Sequence, residues 1–166
     1  MVARLFLFDD EEFLAPRPAR QERVTELGRV RGTTYFADLA RHPENERTPG
    51  VLVVRLEAAL LYFNVEHVRQ RVFQLLEARA EPTRLVIFSF GSVPRVDLAG
   101  AELVGDLLKT LKARGIAFRL ADAHGEVRDA LRRAGFEHEH GDLAEGQTVD
   151  VVLSGWLAAP ALAGVS

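Results

Sequence analysis

Three short apolar runs, each followed by a segment with helical spacing, place the strongest constraint on the fold of this chain. The runs are VLVVRL (Val51–Leu56), RLVIFSF (Arg84–Phe90) and IAFRLA (Ile116–Ala121). Each is rich in branched or aromatic side chains and carries a single arginine, which is typical of strands buried on both faces. Strands that alternate with helices through short loops favour an α/β fold. We therefore predict a mixed, mainly parallel sheet with right-handed crossovers, flanked by about four helices.

The first predicted helix follows the stretch LYFN, which we predict to be a short extended piece. Asn64, at the end of that stretch, is a good helix N-cap, and Glu66 is favourably placed in the first turn. One face of the helix is apolar at helical spacing, and its residues are Val65, Val68, Val72, Leu75 and Leu76.

Three further helices are predicted, each with a recognisable end. Asp97 is the expected N-cap of the second helix, which should stop at Gly115. The third should stop at Gly135, and the fourth should begin near Thr148. The predicted inward stripes are Leu98, Ala101, Val104, Leu108 and Leu111 in the second helix, Val127, Ala130, Leu131 and Ala134 in the third, and Val149, Val152, Leu153, Trp156 and Leu157 in the fourth.

Composition narrows the class of protein. With 166 residues the chain is long enough for one domain with a substantial core. A net charge of −3 argues against nucleic acid as a partner. The absence of cysteine excludes disulfides and thiolate chemistry, and it fits a reducing compartment. No apolar run approaches the roughly 20 residues that span a bilayer, and LFLF (Leu5–Phe8) is too short for a signal-peptide core.

Residues 1–22 are predicted to be a leader or linker, because APRPAR within them favours an extended chain. Residues 16–31 contain five arginines and two glutamates. Such a basic run is either a solvated surface or a juxtamembrane segment on the cytoplasmic side of a membrane. The residues alone leave both interpretations open.

Two stretches of the chain match common enzyme motifs only in part. GAELVGDL has the two glycines of a phosphate-binding P-loop, but Asp106 stands where the lysine must be, and its carboxylate would repel phosphate. The stretch around Ser89 lacks the first glycine of a hydrolase nucleophile elbow, so a buried strand serine is the better interpretation. We therefore predict no catalytic residue, no cofactor and no enzyme activity.

One segment contains two histidines at a spacing that could bind a metal ion. The segment EHEHGD would place His138 and His140 on one side of an extended chain, with Asp142 nearby. No further histidine or cysteine is positioned to complete such a site, so a polar loop is the favoured interpretation. His42, His67 and His124 are expected to be solvated.

Two long stretches of the chain resemble a known family. The first is VTELGRVRGTTYFADLARHPENERTPGVLVVRLEAALLYFNVEHVRQRV, from Val24, and the second is VDLAGAELVGDLLKTLKARGIAFRLADAHGEVRDALRRAGF, from Val96. Both resemble the cytoplasmic STAS domain of SulP-type anion transporters. The resemblance covers residues 23–158. It implies a leader or juxtamembrane linker over 1–22, a STAS domain over 23–158 and a tail over 159–166.

The resemblance also implies a function. The chain would be the non-catalytic C-terminal domain of a carrier of sulfate, bicarbonate, chloride or dicarboxylates, on the cytoplasmic face of the inner membrane. The implied partners are the transmembrane part of the same transporter, a nucleotide or an acyl carrier protein, and a second copy through the full-length carrier. No metal is implied.

The corner Asp97-Leu98-Ala99-Gly100 is the candidate site for a partner or an anion. It matches the D-S-S-G motif of stand-alone anti-sigma-factor antagonists, a second class of STAS protein, in which a kinase modifies the serine. Here Ala99 stands at that position, and it has no hydroxyl to modify. A simpler role for Asp97 is that of a helix cap worth about 1 kcal/mol. A stand-alone regulatory protein without the phosphoacceptor, or a small enzyme, are the alternative functions.

Overall fold

Five strands form one sheet in the computed structural model, which describes residues 23–136 and 147–159. Their order across the sheet is β2-β1-β3-β4-β5. Strand β1 pairs antiparallel with both of its neighbours, β2 and β3. Strands β3, β4 and β5 run parallel to one another. The strands are β1 (Val24–Arg29), β2 (Phe36–Asp38), β3 (Val51–Leu56), β4 (Leu85–Ser89) and β5 (Ala117–Ala121).

Four helices accompany the sheet in the described part of the chain, so the predicted mixed α/β fold is confirmed. They are α1 (Val65–Glu77), α2 (Leu98–Ala113), α3 (Gly125–Arg133) and α4 (Val149–Ala158). The three predicted strands are β3, β4 and β5. The helix ends at Gly115 and Gly135 are also confirmed, since both glycines have positive φ and thus the left-handed conformation that closes a helix.

The two faces of the sheet are covered by different helices. Leu52, Val54 and Leu56 of β3 point into a large apolar cluster that includes side chains of α1, α2 and α3. Val51 and Val53 point to the opposite face, where α4 packs. This alternation is the reason that β3 is apolar throughout. Full burial of each such side chain contributes about 1.5–3 kcal/mol to stability.

Two local predictions were wrong in an informative way. LYFN is not extended: residues 62–64 form a turn. Asn64 does occupy the N-cap position of α1, but its side chain does not cap the helix. It is 1% exposed, and its amide instead accepts from the Leu61 nitrogen (2.9 Å) and donates to the Ala59 oxygen (2.8 Å). A buried side-chain amide must satisfy both its donor and its acceptor, and the loop before α1 offers both.

Three predicted core residues, Leu98, Ala134 and Leu157, lie on the surface. Leu98 is 67% exposed and Leu157 is 60% exposed. Leu98 is the first residue of α2, where the inward stripe has not yet begun; the stripe runs through Ala101, Leu103, Val104, Leu107 and Leu111. In α4 the buried positions are Val149 and Leu153. Among the described residues, no helix is both long enough and apolar enough to cross a membrane.

Candidate functional site

Asp97 joins two segments at the carboxyl edge of the parallel strands. Its Oδ1 accepts a hydrogen bond from the Gly100 nitrogen (2.8 Å), which confirms the predicted N-cap of α2. Its Oδ2 accepts from the Tyr62 nitrogen (2.9 Å) in the turn before α1. One carboxylate therefore satisfies backbone donors of both segments.

The same two segments touch through their backbones. Leu60 donates from its nitrogen to the Arg95 oxygen (2.9 Å), and the Asp97 nitrogen donates to the Leu60 oxygen (3.2 Å). Gly100 is buried against this contact: a Cβ on it would stand 2.5 Å from the Leu60 carbonyl oxygen. Real Cβ atoms do not approach an oxygen so closely, so the close approach of α2 to Leu60 requires glycine.

Large apolar side chains surround this junction on its outer side. Tyr62 is 74% exposed, Phe63 63% and Leu98 67%, and they are three of the six large apolar side chains that stand exposed in the described residues. The two aromatic rings meet edge to face, with centroids 5.5 Å apart. We call Tyr62, Phe63, Leu98 and Ala99 the corner surface. Its three large side chains are apolar and face solvent.

A groove borders the corner surface on the side of α3. Its volume is about 450 Å³, and its lining includes Arg95, Leu98, Asp129 and Arg133. His124, before α3, is exposed as expected, and its Nε2 lies 2.7 Å from the Val93 carbonyl oxygen. Since that oxygen can only accept, Nε2 carries the proton. The hydrogen bond ties the loop that leads to Asp97 to the start of α3.

The structure brings the four predicted site residues together and adds two that the sequence analysis missed. The sequence analysis predicts a short extended piece over LYFN, which includes Tyr62 and Phe63, and does not single them out. The signal that could have found them is Asn64, because asparagine is common in turns.

Of the segments around Ser89 and around His138, the structure describes only the first. Ser89 is 2% exposed, and its hydroxyl donates to the Asp122 carboxylate (2.7 Å). It is thus a buried strand serine, as predicted. His138, His140 and Asp142 lie outside the described residues. Within residues 23–136 and 147–159, no group of three or more metal-ligating side chains is present.

With this fold and corner, comparison with known proteins gives the family. The STAS domain family matches residues 42–148, which is more than half of the chain, and the chain belongs to it. Sulfate transporter 1.3 of Arabidopsis thaliana is 31% identical over 122 residues, which cover 69% of this chain and 19% of that protein. The chain spans about a fifth of the length of the curated relatives that it matches.

Solved structures show the same fold. The SulP transporter STAS domain from Vibrio cholerae superposes with a TM-score of 0.51 at 20% identity, covering 72% of this chain and 90% of that one. The murine solute carrier 26 family member A9 anion transporter gives a TM-score of 0.69 at 21% identity, covering 82% of this chain and 22% of that one. The predicted resemblance and fold class are therefore confirmed.

Proposed function

We propose that this chain is the C-terminal cytoplasmic STAS domain of a SulP-family secondary anion transporter, whose substrate belongs to the sulfate, bicarbonate, chloride or dicarboxylate class. The observation that carries the proposal is the 31% identity to a sulfate transporter over 122 residues. Residues 1–22 are then the linker from the last membrane-spanning helix, residues 23–158 the domain and residues 159–166 its tail. The domain lies on the cytoplasmic face of the inner membrane, where basic linkers accumulate.

In this proposal the domain catalyses nothing, and its corner surface is a regulatory and assembly surface. Tyr62, Phe63 and Leu98 leave a large apolar area in water, and covering such an area with a partner is favourable. The partner that we propose is the transmembrane part of the same transporter, in a carrier that can also dimerise. An acyl carrier protein or a nucleotide, the other partners implied by the family, would need charged or phosphate-binding groups that the corner surface lacks.

The residue at position 99 limits how the corner surface can be regulated. It is half-buried at the first turn of α2, beside the Asp97 cap. With no hydroxyl at this position, phosphorylation there is chemically impossible. We therefore propose that regulation at this position operates by binding rather than by phosphorylation.

The gene itself tests the proposal. Upstream of the codon for Val2, we expect an open frame that continues into a series of apolar segments of roughly 20 residues each. A stop codon and a ribosome-binding site immediately upstream would overturn the transporter proposal. That outcome would favour the stand-alone regulatory protein without a phosphoacceptor, and the search would turn to a separate protein partner.

A further inference from the structure

A cavity rich in arginine lies between the start of β1, the end of β2 and α1. Its volume is about 410 Å³, within the range of small-ligand sites. We call it the arginine pocket and define it by its charged lining residues and histidine, which are Arg23, Glu26, Asp38, Arg47, His67 and Arg71. It shares no residue with the corner surface.

Two buried carboxylates form the anionic part of this pocket, and each lies beside two guanidinium groups. The Asp38 side chain is 6% exposed, with Arg23 Nη2 at 2.9 Å and Arg41 Nε at 3.8 Å. The Glu26 side chain is 16% exposed, with Arg47 Nε at 3.1 Å.

The second guanidinium on Glu26 belongs to Arg79, whose Nη1 lies 2.6 Å away and whose side chain is 10% exposed. Both carboxylates therefore already accept hydrogen bonds from arginine side chains of this chain.

The positive charge of the pocket exceeds its negative charge. Arg71 adds a third guanidinium to the lining, on the exposed face of α1, where its Nη1 donates to the Gln74 side chain (3.3 Å). Nearby acidic residues pair elsewhere: Glu57 with Arg55 and Glu46 with Arg31. Three guanidinium groups, those of Arg23, Arg47 and Arg71, thus line the pocket beside two carboxylates, and the lining carries one net positive charge.

We propose that the arginine pocket binds a phosphate group. Guanidinium groups present several N–H donors in a planar fork that matches phosphate oxygens. Arg23, Arg47 and Arg71 each line the cavity and hold donors beyond those used on Glu26, Asp38 and Gln74. The phosphate belongs either to a soluble compound or to the headgroup of an anionic lipid, and both present the same oxygens to these donors.

The variants that test this proposal remove charge at the rim and leave one arginine paired with each carboxylate. Arg47→Gln with Arg71→Gln removes two guanidinium groups while Arg79 still pairs with Glu26 and Arg23 with Asp38. The matched control is Arg69→Gln with Arg133→Gln, because Arg69 is on α1 as well but pairs with Asp106. Thermal unfolding of both double variants checks that they fold.

The first measurement is isothermal titration of the chain with inorganic phosphate at constant ionic strength. The second is co-sedimentation with phosphatidylcholine vesicles, with and without phosphatidylglycerol. We expect the pocket variant to weaken one of these interactions by about tenfold or more, and the control variant to leave it unchanged. Saturable binding of inorganic phosphate identifies a soluble ligand. Co-sedimentation that requires phosphatidylglycerol, in a chain that does not bind inorganic phosphate, identifies a lipid headgroup.

Two results would overturn the proposal. One is the absence of both interactions in the unmodified chain. The other is an equal loss in the two double variants, which would show attraction by total charge rather than by the pocket. Neither result bears on the corner surface or on the gene's reading frame.

Discussion

The carboxylate of Asp97 holds the backbone nitrogen of Tyr62 at 2.9 Å, across 35 positions of the chain. The other oxygen of the same carboxylate caps α2 through the Gly100 nitrogen. Asp97 is therefore both a helix cap and the tether of the turn that exposes Tyr62 and Phe63. This side chain therefore acts together with the backbone contacts of Leu60 to hold the corner surface in shape.

Replacing Asp97 separates its two roles. Asp97→Ala removes both acceptors, and we expect the free energy of unfolding to fall by about 1–3 kcal/mol in urea denaturation. Asp97→Asn keeps one acceptor oxygen for the cap but offers an N–H₂ group to the Tyr62 nitrogen. The Asn variant should lose less stability, while hydrogen exchange at the Tyr62 amide accelerates. Equal protection of that amide in the wild type and the Asn variant would rule out the tether.

Gly100 and Gly155 form a matched pair of helical glycines. Gly100→Ala places a Cβ 2.5 Å from the Leu60 oxygen, and we expect a loss of about 1–3 kcal/mol as α2 is displaced. Gly155→Ala in α4 meets nothing within 4 Å, and it should stabilise the protein by about 0.5–1 kcal/mol. Equilibrium unfolding of both variants checks the pair. Equal effects would contradict the close approach at Leu60.

The buried hydroxyl of Ser89 predicts a difference in stability between two serine-to-alanine variants. It donates to Asp122 across the ends of β4 and β5, so Ser89→Ala leaves a partly buried carboxylate without that donor. We expect the free energy of unfolding to drop by about 1–3 kcal/mol. Ser92→Ala, at an exposed serine three residues later, should change it by less than about 0.5 kcal/mol. If the two variants unfold alike, the Ser89–Asp122 hydrogen bond adds no net stability.

The strands that the sequence predicts are the ones that the core buries on both faces. β3, β4 and β5 carry continuous apolar runs, and such runs are visible without any tertiary information. β1 and β2 were not predicted. The polar residues Thr25, Glu26 and Arg29 interrupt the apolar pattern of β1, and β2 has only three residues. Their pairing is set by partners far along the chain, and no local pattern encodes it.

Only part of the candidate site could be predicted from the sequence. Asp97 was predicted as a cap because cap chemistry is local. Its second bond to the Tyr62 nitrogen depends on the packing of α2 against Leu60, and the sequence does not display that contact. Leu98 was placed in the core because helical spacing alone does not show where an inward stripe begins. The exposure of Tyr62 and Phe63 is likewise a tertiary property.

The last prediction concerns the corner surface and rests on the proposed function. Tyr62→Ser with Leu98→Ser removes its two most exposed large side chains. Because both stand in water, the free energy of unfolding should change by less than about 0.5 kcal/mol. In the full-length carrier in lipid vesicles, however, the initial rate of uptake of its radiolabelled substrate anion should fall several-fold, because exposed aromatic side chains at an interface contribute strongly to its affinity.

The control for this prediction is Val151→Ser with Leu157→Ser, which removes two exposed apolar side chains from α4 instead. It should leave uptake close to that of the unmodified carrier. A corner variant that transports at the normal rate would show that Tyr62 and Leu98 take no part in docking. An equal decline in both variants would mean that apolar exposure in general, rather than the junction held by Asp97, determines how the domain meets its partner.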